Sequence, residues 1–231
     1  MAAVLRGVRA AIIDLDGTML DTMPDFEVAI NLMREELGLA PITATQIELM
    51  VGKGSENLVR RVLALDFDEE GVERMFGQAM EAYQRHYLVI NGRHSEVYAD
   101  VVSGLQAMKA NGLRLACVTN KPVAFARPLL ALKGLDGYFE VLFGGDSFEK
   151  KKPHPMPLLK ACEHFDLPPS QVVAIGDSSN DAEAARAAGC PVLTVPYGYN
   201  HGVGIHETDS DGIVDTLLLA AALISTQNDA I

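Results

Sequence analysis

Short apolar runs that break off at small, polar or acidic residues recur along the chain: AAIID (residues 10–14), LRLACVTN (113–120), EVLFGG (140–145), VVAIGD (172–177) and PVLTVP (191–196). Runs of this length, several rich in β-branched residues and each bounded by turn formers, predict strands buried on both faces. Between the later ones lie helix-like stretches, PVAFARPLLALKG and SNDAEAARAAG, the second stopped by Gly189. Alternating strand and helix signals predict an α/β fold, a Rossmann-like three-layer arrangement with a central parallel sheet covered by helices on both faces. In such sheets the site lies at the carboxyl ends of the strands. That rule would gather Asp14, Thr119, Asn120 and Asp177 from distant positions into one crevice.

From about Thr22 to His94 the rhythm changes. No strand-like run occurs there, and DFEVAINLMREELG, ATQIELM, SENLVRRVLAL and EEGVERMFGQAMEAYQRHY all read as helices. We therefore expect a core made of residues 1–21 and 95–231, with an inserted helical domain over 22–94. Its position after the first strand would set it over the crevice as a lid. Within it VGKGSENL, residues 51–58, interrupts the helices with two glycines and a lysine. Near the far end TLLLAAALI, residues 216–224, suits a closing helix packed on the core and is much too short to span a bilayer. The tail STQNDAI is expected to fray.

Composition narrows the picture further. A chain of 231 residues with 48% hydrophobic content can bury a substantial core without staples, which excludes a disordered chain. A net charge of −12 argues against nucleic-acid and anionic-membrane partners, while still allowing a local group of lysines or arginines to hold a small anion. Cys117, Cys162 and Cys190 form neither a CxxC pair nor an even disulfide set, and two of them lie in or beside apolar runs. Buried thiols in a reducing cytoplasm are the expectation. The first residues, MAAVLRGVRAAIIDLDG, do not have the pattern of a signal peptide, because the apolar run is short and leads straight into Asp14.

The candidate chemistry begins where IIDL runs into DGT. A buried carboxylate is costly unless paired or bound to a metal, and two carboxylates close together repel, so Asp14 and Asp16 call for a neutralising partner. If the strand continues through them, their side chains share a face; if it ends first, Asp16 enters a loop and its side chain turns elsewhere. A plain turn at Asp16-Gly17 would leave Asp14 unexplained. Three further elements follow in order: VTN (118–120), KKPHPMPL (151–158) and GDSSND (176–181).

The D-x-D-G-T sequence at 14–18 after a hydrophobic strand, together with those three elements, resembles the haloacid dehalogenase-like hydrolase superfamily. The likeness is to its phosphoglycolate phosphatase-like branch, with a helical cap after the first motif, and it covers nearly the whole chain. It implies a Mg²⁺-dependent phosphatase in which Asp14 attacks phosphorus and forms an acyl-phosphate, splitting one difficult displacement into two. By the same resemblance Mg²⁺ is held by the Asp14 and Asp177 side chains and the Asp16 carbonyl, with Asp181 behind them or bound through water. Asp16 is implied as the acid for the leaving alkoxide and later the base for water. Thr119 and the Asn120 amide are implied on the phosphoryl oxygens, and the K-P-x-P pattern selects Lys152 as the balancing charge. Lys150 and Lys151 read as a solvated run, and His154 as structural or exposed.

Thr18, and in the cap Gly52 and Lys53, are candidate substrate contacts, Lys53 because a loop lysine could meet a distal carboxylate or phosphate. Arg60 and Arg61 read as solvated. YGYNHG at 197–202 resembles the glycine-rich loop that helps wall the site in this branch, and His201 has no second histidine at ligand spacing. The segment Tyr98-Ala99-Asp100-Val101 departs from the Tyr-Pro-Gly-Val turn of many relatives. A cap lysine forms a Schiff base in phosphonoacetaldehyde hydrolases of this superfamily, but those enzymes, like the dehalogenases, lack the second aspartate. Asp16 therefore favours phosphate-ester hydrolysis, with 2-phosphoglycolate or a sugar phosphate as substrate. A β-phosphoglucomutase-like phosphotransferase and a non-catalytic phosphate-binding regulator are the alternatives. A soluble cytoplasmic monomer or homodimer is expected, whose partner is the small organic phosphate alone, with no nucleic acid and no membrane.

Overall fold

The computed structural model describes residues 5–200, 202 and 204–228; the first residues, His201 and the last three residues of the tail lie outside them. Six parallel strands form the main sheet: β1 (Ala10–Ile13), β4 (Arg114–Val118), β5 (Val141–Phe143), β6 (Val172–Gly176), β7 (Val192–Thr194) and β8 (Gly212–Ile213). Their order is β5-β4-β1-β6-β7-β8, so β1 is central, with Ile13 level with Cys117 on one side and Ile175 on the other. The two-residue period of a strand divides its side chains between two cores. Ala11 and Ile13 pack with α5 (Val101–Ala110), α6 (Val123–Leu132) and α9 (Leu217–Asn228), and Ala10 and Ile12 with α7 (Met156–Phe165) and α8 (Ser179–Ala188). This is the expected three-layer α/β fold, with a central parallel sheet and helices on both faces.

The stretch 22–94 is helical: α1 (Met23–Glu36), α2 (Ala44–Glu48), α3 (Ser55–Leu63) and α4 (Glu69–Ile90). These four share a third core around Phe26, Ile30, Met33, Val59, Tyr83 and Tyr87. The chain enters and leaves them through a short antiparallel ribbon, β2 (Leu20–Asp21) against β3 (Glu96–Val97). Strands of two residues are too short for any periodicity to announce, and the same holds for β8.

Two helices also escape the hydrophobic pattern. α7 opens Met156-Pro157, so a proline that reads as turn punctuation is in fact in the first helical turn, where its missing N–H costs nothing. α5 carries Gly104 mid-helix, a weak helix former, because a Cβ there would lie 2.5 Å from the backbone carbon of Leu217 in α9. All three cysteines are buried and free, Cys162 and Cys190 with their sulfurs 3.9 Å apart. No helix among the described residues is long and apolar enough to cross a membrane.

Candidate active site

The carboxyl ends of β1, β4 and β6 deliver the site residues. β1 stops at Ile13, yet the Asp14 N–H still donates to the Ile175 carbonyl at 3.0 Å, so Asp14 is held in line with the sheet. The chain then turns, with Gly17 N–H donating to the Leu20 carbonyl at 2.9 Å. Gly17 has φ +80°, and a Cβ on it would lie 2.4 Å from Asp177 Oδ2, so only glycine fits. The two acids of the first motif consequently diverge. Asp14 meets Lys152 at 2.9 Å, whereas Asp16 Oδ1 accepts from Lys121 Nζ at 2.6 Å and from Thr22 Oγ1 at 2.7 Å. The geometry is the one in which Asp16 enters a loop and turns away.

β6 ends in Gly176 and passes to Asp177, then to Ser178 as N-cap of α8. Asp177 takes hydrogen bonds from Thr18 Oγ1 (2.6 Å) and the Tyr199 N–H (2.6 Å). Asp181, one turn into α8, closes a capping box with Ser178 and accepts from Lys152 Nζ at 2.7 Å. Lys152 reaches in from the loop before α7, follows no strand, and is followed by a cis bond to Pro153. Its ammonium also donates to the Val118 carbonyl at 2.8 Å, so all three of its protons are engaged.

Oxygens of Asp14, Asp177 and Asp181 lie within 4.8 Å of one another. Burial pushes the Asp14 carboxyl up from 3.8 to about 7; Lys152 opposes the rise, while Asp181 and Asp16 add to it. Asp177 is raised well above the carboxylate range, again by burial first and then by Asp181 and Asp14. Burial works against a charged Lys152, but Asp14 and Asp181 outweigh it and raise its pKa. Lys152 is thus well satisfied while the carboxylates are not, because one ammonium is shared between two of them. Among the described residues the charged groups lining the cavity are four carboxylates, Asp14, Asp16, Asp177 and Asp181, against two ammonium groups, Lys121 and Lys152. The deficit of two positive charges, among hard oxygen donors, fits a divalent ion such as Mg²⁺.

Above these residues lies a cavity between the sheet's carboxyl edge and the inserted helices. It is walled on the helical side by Phe26, Val51, Leu58, Tyr83 and Tyr87. A water molecule's centre can occupy about 50 Å³ of it. Thr119 and Asn120 line it together with the four carboxylates and both lysines. Asn120 braces it: Nδ2 donates to the Lys152 carbonyl (2.8 Å) and the Gly52 carbonyl (2.9 Å), and its buried Oδ1 has no partner among the described residues.

Of the other candidates from sequence, Gly52 lines the cavity, but Lys53 does not. Lys53 is exposed on an adjoining open groove with Glu56, Asn57, Arg60, Lys150 and Lys151. Thr18 is fully buried and serves Asp177 rather than the cavity. Arg60 pairs with Glu73 and stacks on Phe76, Arg61 is exposed, and His154 accepts from the Met156 N–H at 3.1 Å within its own turn. From the glycine-rich loop, the Tyr199 hydroxyl accepts from the N–H groups of Thr22 (2.8 Å) and Met23 (2.9 Å), anchoring α1. Sequence reasoning passed over Lys121, which is buried beside Asp16 and lies 4.6 Å from the Phe26 ring and 5.0 Å from that of Tyr87. The signal was its place one residue beyond VTN, at a strand end already marked as part of the crevice.

Residues 8–189 match the family described as haloacid dehalogenase-like hydrolases. The chain is 47% identical over 218 residues to a phosphoglycolate phosphatase of Thiobacillus denitrificans, covering 94% of this chain and 96% of that one. It is 48% identical over 217 residues to a phosphoglycolate phosphatase of Nitrosospira multiformis, with the same coverage. Among solved structures, a predicted phosphoglycolate phosphatase from Haemophilus somnus superposes with a TM-score of 0.86 at 32% identity, over 92% of this chain and 96% of that one.

Proposed function

The chain belongs to the haloacid dehalogenase-like hydrolase family, and from that premise we propose that it is a phosphoric monoester hydrolase acting on 2-phosphoglycolate through a phospho-aspartate on Asp14. One observation carries the reading: Asp14, Asp16, Thr119, Lys152 and Asp177 meet at the floor of a single cavity. Its size favours a small substrate. Water centres have only about 50 Å³ to occupy, and the relatives that are 47% and 48% identical are phosphoglycolate phosphatases, which favours phosphoglycolate over a hexose phosphate.

Asp14, aligned by its bond to β6, attacks phosphorus as the bond to the leaving oxygen breaks, and Asp16 gives that oxygen its proton. Asp16 then takes a proton from water as the water's oxygen attacks the phosphorus of the aspartyl phosphate, which regenerates Asp14 and frees inorganic phosphate. Thr119 and the backbone N–H of Asn120 hold the phosphoryl oxygens, and the charge of Lys152 offsets theirs. The Asp14 and Asp177 carboxylates and the Asp16 carbonyl would hold Mg²⁺, with Asp181 in support through Lys152 and Ser178. When bound, the ion draws carboxylate and phosphoryl oxygens together and offsets the charge that builds between them. Helices α1–α4 act as a cap that keeps bulk water from the acyl-phosphate until the alcohol leaves. Three buried free thiols suit a cytoplasmic enzyme.

The test is phosphate release from 2-phosphoglycolate with and without Mg²⁺, with Asp14→Asn as the blank. Turnover that requires Mg²⁺ and vanishes in Asp14→Asn is the expected result. No phosphate release across a panel of small phosphomonoesters would overturn the phosphatase assignment. An isomerised sugar phosphate accumulating without free phosphate would point to a phosphotransferase instead.

A further inference from the structure

The residues that handle the phosphoryl group leave the other end of the substrate to be recognised. Among the described residues only two cations line the cavity, and Lys152 has no free proton: its three donors go to Asp14, Asp181 and the Val118 carbonyl. Lys121 is different. One of its three protons goes to Asp16, and the rest of the ammonium lies against the faces of Phe26 and Tyr87. Tyr87 also lines the cavity, is fully buried, and its hydroxyl has no hydrogen-bond partner among the described residues. A buried hydroxyl without a partner is costly, and a ligand that accepts its proton removes that cost.

We infer that Lys121 and Tyr87 form a subsite that reads a carboxylate placed one carbon beyond the phosphoester oxygen. This subsite presupposes the phosphatase reading above and deepens it. The leaving oxygen takes its proton from Asp16 and must therefore lie within hydrogen-bond reach of that carboxyl. Lys121 Nζ stands 2.6 Å from Asp16 Oδ1. In a phosphoglycolate the carboxylate carbon is two covalent bonds from the leaving oxygen, so the ammonium that touches Asp16 also reaches the substrate's carboxylate. The aromatic wall of Phe26, Tyr83, Tyr87 and Phe125 excludes water there, which strengthens both contacts. Burial, with Asp16 and Tyr83 contributing, raises the Tyr87 phenol and keeps it a proton donor.

The discriminating substrates are 2-phosphoglycolate, ethyl phosphate, which lacks the carboxylate, and phosphoethanolamine, which places a cation there. The wild-type enzyme should prefer them in that order. Lys121→Met keeps the stem without the charge; a hydrogen bond between charged groups is lost for phosphoglycolate alone, so its kcat/KM relative to ethyl phosphate should fall about ten- to hundredfold, mainly through KM. Tyr87→Phe breaks no bond within the protein, so it should unfold at the same or a higher temperature while the same ratio falls about tenfold. Equal losses on both substrates in Lys121→Met would mean that Lys121 only positions Asp16, which overturns its part, and an unchanged ratio in Tyr87→Phe overturns that of Tyr87. Wild-type hydrolysis of ethyl phosphate as readily as phosphoglycolate would sink the subsite and leave the phosphatase standing. No phosphate from any of the three would instead remove the phosphatase reading on which the subsite depends.

Discussion

Replacing Asp14 by asparagine should stabilise the metal-free protein at neutral and alkaline pH, although it destroys the nucleophile. Asp14 is one of four cavity carboxylates that share two ammonium groups, and its side chain is only 14% exposed. Its carboxyl is held at about 7 in the fold against 3.8 for an ordinary aspartate, chiefly by burial, and the attraction of Lys152 is already included in that balance. A carboxyl whose folded pKa is the higher one keeps a proton that the unfolded chain releases. Stability therefore falls as pH rises from about 4 to about 7, and the loss stays in full above that window. At 1.36 kcal/mol per pH unit, the rise from 3.8 to about 7 corresponds to at most about 4 kcal/mol. Asparagine cannot ionise and escapes the loss. Urea unfolding in EDTA, followed from near pH 5 to near pH 8, should show Asp14→Asn gaining on the parent as pH rises. Saturating Mg²⁺ should narrow the gap near pH 8, where the carboxylates are free to bind it. A variant that unfolds at lower urea than the parent near pH 8 in EDTA would refute the charge deficit at the cavity floor.

Other expectations follow from single contacts. Tyr199→Phe leaves the Thr22 N–H without its acceptor at the start of α1, while the Met23 N–H keeps Asp21 Oδ1 at 3.1 Å, so urea unfolding should show a loss of about 1–3 kcal/mol; the Tyr199 N–H bond to Asp177 is unchanged and most turnover should persist. Gly17→Ala drives a methyl onto Asp177, and phosphate release should fall by about a hundredfold or more, the scale set by a 1 Å misplacement, with the Mg²⁺ titration shifted to higher concentration. Lys53→Met, on an exposed loop outside the cavity, should keep kcat/KM within about twofold, as surface substitutions do; a large rise in KM would mean that Lys53 swings inward.

What the sequence could reveal about this site followed from where its residues sit on the elements. Asp14, Thr119, Asn120 and Asp177 directly follow apolar strands, so the rule for parallel sheets brings them together, and the structure does so. The parallel sheet was legible from short apolar runs bounded by turn formers, and the helical stretch after Asp21 from longer helix-like segments without such runs. Lys121 was legible only as the residue after VTN, and Tyr87 not at all. Their surroundings come from chain segments far apart, and a lysine facing aromatic rings across the cavity leaves no local pattern. Lys53 misled for the opposite reason: a glycine-flanked lysine looks poised for a ligand, but which way a loop side chain points is set by tertiary contacts. The Gly52 carbonyl is fastened by Asn120, and the neighbouring lysine faces outward.

The β2–β3 ribbon brings the two ends of the helical stretch side by side. Leu20 lies opposite Val97 and Asp21 opposite Glu96, so the chain leaves the sheet and returns to it at adjacent points, with four helices between. Paired antiparallel strands can be closed by a two-residue turn. Residues between Asp21 and Glu96 could thus be lengthened, shortened or exchanged without moving an end that the six-stranded sheet depends on. The floor carrying Asp14 and the helical roof over it are thus joined by two crossings of the chain that lie side by side.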